Sequence, residues 1–258
     1  MLMASQEPYM LVVQPDDPLI SPREVDETFG TMVCFHRRYA LGDEHSYADK
    51  DDFLHDLFIK AAGGGEQAEE KYDRLAEQIS DARAFDEALL NEIGQSHVVL
   101  PLYLYDHSGL TMNTTGFSCP WDSGQVGWIY VSNEAVLKEF GGETMTADTR
   151  QKAEHLLRGE VEVYDAYLRG ECYGFELYKN GELSDSCWGF MGNLEDVCKD
   201  MAEYLPDECK GMTEHLAEVD HPASMIKTLL HHARLLVEQT AKDMEHAPRQ
   251  QVIAADAR

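Results

Sequence analysis

Apolar positions along the chain recur at two spacings, and the changes between them outline the elements. The segment PYMLVVQ (8–14) has the character of a strand. TMVCFHRRY (31–39) alternates, which predicts a strand with Met32, Cys34, His36 and Arg38 on one face and Val33, Phe35, Arg37 and Tyr39 on the other. PDDPLISPRE between them is a turn-rich connection, because proline fixes φ and withdraws a ladder donor. In DDFLHDLFIKAA (51–62) Phe53, Leu54, Leu57 and Phe58 fall at helical spacing, with Asp49 or Asp51 available as cap and Gly63–Gly65 as stop. One long helix or two follow over 66–94, with Tyr72, Leu75, Ile79, Ala82, Leu89 and Ile93 as the apolar stripe and Gly94 suited to the C-cap.

HVVLPLYLYDHSG (97–109) is apolar almost throughout, as in a strand buried on both faces, while Pro101 argues for an edge position or a bulge. GWIYVS (127–132) predicts another strand, and Ser132-Asn133 can cap the helix EAVLKEFG. A longer helix covers 146–170. The period then returns to two: CYGFELYKNGELSDSCWGFMG (172–192) predicts a hairpin, since Asn180-Gly181 supplies the two positive-φ positions of a type I′ turn. Asn193 starts an amphipathic helix that Pro206 ends, and a last helix over 223–247 carries Met225, Ile226, Leu229, Leu230, Leu236 and Val237; the residues after Pro248 should fray. The expected fold is α+β, a mixed or antiparallel sheet with flanking helices, organised as a domain over 1–205 and a C-terminal helical extension over 206–258 that can equally be part of the same domain.

Composition agrees with a folded chain and adds a strong charge signal. Of 258 residues 43% are hydrophobic, enough for a core, and 48 acidic against 21 basic residues leave a net charge of -27. Between 160 and 220 there are 16 acids against four bases. Such a chain repels phosphates, so direct binding of nucleic acid through a basic face is not expected, and the fitting partners are cations or a basic protein surface, including one that otherwise holds DNA. A DNA mimic would have to present carboxylates in dense rows, whereas these acids alternate with apolar positions. No stretch approaches the roughly 20 apolar residues of a membrane helix, and no secretory leader is evident, so a cytoplasmic location and no membrane association are expected. Six cysteines without a CxxC pair imply neither a zinc knuckle nor a redox motif, and no cofactor is expected.

The densest chemistry lies at Asp106-His107-Ser108-Gly109 and Cys119-Pro120-Trp121-Asp122-Ser123-Gly124. A strand end carrying Asp106 and His107 beside a loop bearing Cys119 and Asp122 could assemble a nucleophile and its base, although Asp-Ser-Gly is equally turn chemistry and no GxSxG elbow is present. His36, Asp43 and His45 offer nitrogen and oxygen ligands, at a spacing that matches no metal motif. The adjacent His231 and His232 point about 100° apart on a helix and cannot share an ion. Arg23, Arg37, Arg38 and Arg169 stand out among scarce bases; ion pairs with the abundant acids are expected of them, with a phosphate or carboxylate ligand for Arg37 or Arg38 as the alternative. For a binding surface the leading residues are Trp121, Asp122, Asp185, Glu195 and Asp196.

Three stretches, SPREVDETFGTMVCFHRRYALGDEH (21–45), LPLYLYDHSGLTMNTTGFSCPWDSGQVGWIYVS (100–132) and YLRGECYGFELY continuing to DSCWGFMG (167–192), resemble an uncharacterised family of proteins carried by bacteriophages and other bacterial mobile elements. The resemblance covers most of 20–192 and leaves out the last helix. It implies a setting and no chemistry: an accessory role inside the bacterial host cell, such as inhibiting or redirecting a host or defence protein. A small hydrolytic or metal-dependent enzyme is the alternative reading, and self-association through the last helix a third.

Overall fold

A computed structural model describes residues 1–17, 20–25, 27–219 and 222–246. The chain divides into two units, one formed by 1–17 with 172–258 and the other by 18–171. Strands β1 (Leu2–Gln6) and β2 (Tyr9–Pro15) open the first unit as an antiparallel hairpin in register Leu2↔Val13 to Gln6↔Tyr9. The chain then builds the whole second unit before returning to β2, which pairs antiparallel with β7 (Cys172–Lys179) from Tyr9↔Lys179 to Pro15↔Tyr173. At the crossing point Asp16 N donates to Cys172 O at 2.8 Å.

The second unit contains a short helix α1 (Pro22–Val25), strand β3 (Thr31–Cys34), helices α2 (Lys50–Ala61), α3 (Gly65–Gln78) and α4 (Ala82–Ile93), strands β4 (His97–Asp106), β5 (Leu110–Asn113) and β6 (Ser123–Ser132), and helices α5 (Asn133–Phe140) and α6 (Ala147–Arg169). Its antiparallel sheet runs β3-β6-β4-β5. Met32, Leu100, Leu102, Ile129 and Val131 on one face pack with Val136 of α5 and with Ala153, Leu157 and Val161 of α6. Val33 and Trp128 on the other pack with Phe53, Leu54 and Phe58 of α2 and Leu89 and Ile93 of α4. The local signals that start these helices act as expected: Asp49 Oδ1 accepts from Asp51 N and Asp52 N, and the Ser132 hydroxyl accepts from Ala135 N.

Two expected strands differ. β3 ends at Cys34 instead of running to Tyr39, because His36 Nδ1 accepts from Arg38 N and the imidazole stacks on Tyr39 with centroids 5.0 Å apart, so 36–39 is a turn and has no strand faces. β4 alternates in burial instead of being enclosed on both faces: the core beneath α2 and α4 reaches Val99 but not Pro101, Tyr103 or Tyr105. Pro101 pairs on one side only, with Trp128 of β6, since β5 reaches no further than Tyr103, and a register shift follows between Leu102 and Tyr103, in keeping with the edge position or bulge that a proline favours.

The first unit is completed by β7, β8 (Glu182–Met191), helix α7 (Leu194–Tyr204), a 3₁₀ turn (Lys210–His215), β9 (Ala217–Glu218) and helix α8 (Pro222–His246). The order is β8-β7-β2-β1-β9, antiparallel throughout. Asn180 and Gly181 have φ of 54° and 85°, the predicted type I′ turn. Tyr9, Leu11, Val13, Phe175 and Leu177 form one core with Val197 and Met201 of α7 and with Leu205, Cys209 and Met212. Cys209 and Met212 thus share a core with elements before 205, while the chain divides at 17/18 and 171/172. The buried His232 of α8 places Nε2 3.2 Å from Ser5 Oγ, whereas His231 turns to Glu7. Ile226, Leu230 and Val237 remain exposed. Among the described residues no helix is long and apolar enough to cross a membrane.

Candidate functional site

Residues from three places in the second unit meet at one end of its sheet: the turn after β3, the β4–β5 hairpin and the loop entering β6. β4 and β5 close at Asp106↔Leu110 through Ser108, whose φ is 60°. After β5, Asn113 Oδ1 accepts from Thr115 N and Gly116 N, and Gly116, at φ 86°, lies against the Tyr103 ring. Phe117 then packs on Tyr105 at 5.6 Å between centroids. The next turn is tied to the sheet by Asp122: its carbonyl accepts from Asp106 N at 2.8 Å, and its Oδ2 lies 3.2 Å from His107 Nδ1 and 3.7 Å from Cys119 Sγ. Ser123 donates to Cys119 O. The result is a braced turn that holds Trp121 at 91% exposure.

Three of the four candidate catalytic residues, His107, Cys119 and Asp122, are therefore together, but in an order that does not serve a cysteine nucleophile. The thiol donates to the carboxylate oxygen that the imidazole also addresses, whereas activation requires the base to take the thiol proton. Asp106 is turned instead to Arg38, 3.7 Å away. The constellation fastens a loop.

The candidate metal ligands His36, Asp43 and His45 line one cavity of about 760 Å³ but are committed elsewhere. Asp43 receives Arg23 through Nε at 2.7 Å and Nη2 at 2.8 Å, and Met32 N at 2.8 Å. His45 Nε2 donates to Cys34 O at 2.9 Å, which fixes the tautomer and leaves Nδ1 a buried acceptor with no hydrogen-bond partner among the described residues. No group of three or more His, Cys, Asp or Glu among the described residues is gathered to hold a metal.

Arg23 is the hub of this wall. Its side chain is 3% exposed, and besides Asp43 it reaches Glu160 at 3.0 Å and Gly30 O at 2.7 Å. Burial works against its charge, but the hydrogen bonds and charges of Asp43 and Glu160 outweigh it and raise the guanidinium pKa. Burial pushes the Cys34 thiol and the Tyr164 hydroxyl up to about 12 each. Arg23, Arg38 and Arg169 pair with carboxylates as expected, whereas the exposed Arg37 has no ion pair among the described residues. Nothing local announces that Tyr164 and Tyr167, on α6, complete a cavity begun by residues 21–45.

The remaining binding candidates lie in the first unit. Asp185, on β8, accepts from Ser186 N. Glu195 and Asp196 open α7, where both pair with Lys199, at 3.2 and 2.9 Å. Hydrogen bonds from Asn193 and then Lys199 lower the Asp196 pKa.

No family model, no curated protein and no solved structure matches the chain.

Proposed function

We propose that the protein is a binding protein that engages the basic surface of another protein, with the Trp121 turn as its anchor. The observation that carries this reading is a tryptophan exposed to 91% on a turn fixed by backbone and side-chain bonds. An exposed indole has no role in the chain's own core, whereas a large, preorganised aromatic side chain is the usual centre of a protein interface. The net charge of -27 supplies the complement to a basic partner and a long-range attraction that salt weakens. The setting, a phage or mobile element acting on a host or defence protein, rests on the motif resemblance alone. A DNA-mimic version has less support, since Lys199 partly neutralises Glu195 and Asp196.

The test compares capture from bacterial lysate by immobilised wild-type protein, Trp121→Ala and Cys119→Ala at low and high salt. A captured protein lost with Trp121→Ala and with salt, but retained with Cys119→Ala, is the expected result. A biological activity that vanishes with Cys119→Ala and His107→Ala, with the fold intact and Trp121→Ala harmless, would transfer the argument to the enzyme reading.

A further inference from the structure

The Trp121 turn does not stand alone on the surface. It borders a cavity of about 290 Å³ that it shares with His36, Asp106 and the Arg38 that pairs with Asp106 at 3.7 Å, and His36 is also part of the wall of the 760 Å³ cavity between the 39–45 segment and α6. The two are thus neighbours across one imidazole. The larger has the volume of a ligand pocket rather than of a packing gap.

Its lining favours positive charge. The one guanidinium in the wall, Arg23, is spent on Asp43, Glu160 and Gly30 O. Glu24 and Glu44 are exposed and make no side-chain hydrogen bond or ion pair among the described residues. Of the aromatic rings in the wall, Tyr39 is engaged by His36, stacked at 5.0 Å, and by Arg38 Cζ at 6.0 Å, and Tyr164 is buried, so the half-buried Tyr167 is the ring left to a ligand. Unpaired carboxylates beside an aromatic face suit a flat, weakly hydrated cation that stacks and donates several hydrogen bonds at once, which describes guanidinium better than ammonium.

We propose that this cavity receives an arginine side chain of the partner protein, while the partner's flanking residues cross His36 and pack on Trp121. The inference rests on the binding reading above and gives its partner a chemistry: an exposed segment with an arginine one short step from an apolar contact. Glu24 and Glu44 clamp the guanidinium, Tyr167 flanks it, and Trp121 takes the neighbouring side chain.

The test uses the full chain and blocked tripeptides containing arginine, lysine or citrulline, titrated by calorimetry, with free arginine as a further probe. The arginine peptide should bind, with lysine weaker and citrulline, which has the shape without the charge, weaker by roughly tenfold or more. Glu24→Gln with Glu44→Gln should weaken the arginine peptide by a similar factor and leave thermal unfolding unchanged, since both side chains are exposed. Equal binding of citrulline, indifference to the double substitution, or no binding of the arginine peptide at millimolar concentration overturns the proposal. Free arginine binding as tightly as the peptide assigns the cavity to a small molecule and overturns the docking surface. Capture of a partner that needs Trp121 but not Glu24 and Glu44 refutes the arginine site and leaves the binding function standing; the reverse pattern refutes Trp121 as the anchor and leaves the arginine site.

Discussion

Replacing Arg23 by Met removes the charge from the centre of the cavity wall while keeping most of the side chain's volume. Its guanidinium is 3% exposed and holds carboxylates that are themselves only 23% and 20% exposed, Asp43 and Glu160. Removing one partner of a buried ion pair costs about 3–5 kcal/mol, because the other charge stays desolvated. Two carboxylates are left here, but each keeps about a fifth of its surface in water, and both retain backbone donors, Met32 N for Asp43 and Gly30 N for Glu160. The lower end, ~3 kcal/mol, is therefore expected. Glu160→Gln can keep an oxygen for Gly30 N and Arg23 only by turning its amide nitrogen onto Phe29 N, donor against donor, so its cost should be ~2 kcal/mol. In the Glu160→Gln background Arg23→Met should cost measurably less than alone, because one of the stranded charges is already gone. The chain's three tryptophans make the assay specific: with Trp121 and Trp188 replaced by Phe, only Trp128, 5% exposed in the second unit's core, reports on urea unfolding. A cost below ~1 kcal/mol, or strict additivity of the two substitutions, would refute the account of Arg23 as a charge whose removal strands its partners.

Two glycines contrast in what a methyl group would meet. A Cβ at Gly127 would lie 1.9 Å from Val33 O, which is backbone, while one at Gly174 would lie 2.1 Å from the Trp188 ring, a side chain 43% exposed and free to swing outward. Gly127→Ala should break the β3–β6 pairing and leave insoluble protein, while Gly174→Ala should cost about 1 kcal/mol and red-shift Trp188 emission; equal urea midpoints would contradict this. Burial lowers the His97 pKa from 6.5, so the unfolded chain binds the proton more readily; the stabilisation is complete above pH 6.5 and is lost as pH falls through the lower folded value. His97→Gln should therefore flatten the fall in urea midpoint below pH 6.5, and an unchanged slope would show that His97 does not contribute. With thiol pKa values pushed up to about 12 and about 11 by burial, Cys34 and Cys172 should resist alkylation in the native protein at about pH 8. Mass spectrometry should find the half-buried Cys119 and Cys187 modified before Cys34 and Cys172; labelling of Cys34 at the same rate would contradict its burial.

What could be read in advance was what nearest neighbours determine. Asn180-Gly181 needs no partner to favour a type I′ turn, and Asp49, Ser132 and Asn193 cap with their own oxygens within three residues, so turn and helix starts were legible. β1 and β5 were not: LMASQ and LTMN are too short to show a period, and become strands only because β2 and β4 offer them an edge. The division into units was hidden for the same reason, since it depends on the pairing of Val13 with Phe175, far apart in sequence. In the site, the crowding of His107, Cys119 and Asp122 was visible as composition, but which atom faces which is a matter of loop closure, and the order that emerged puts thiol and imidazole on one carboxylate.

The pairing of β2 with β7 also sets a timetable. The ribosome delivers β1 and β2 first, yet Met10, Leu11 and Val12, with no exposed surface in the finished protein, face an open strand edge until β7 emerges after the entire second unit. At ~5–20 residues per second that wait lasts on the order of ten to thirty seconds. During it the inserted unit can fold and bring the two halves of the first sheet within reach of each other at Asp16 and Cys172. A slowly folding or destabilised second unit would then do its damage at a distance: the hairpin made first would be the part left unpaired, and the seed of aggregation.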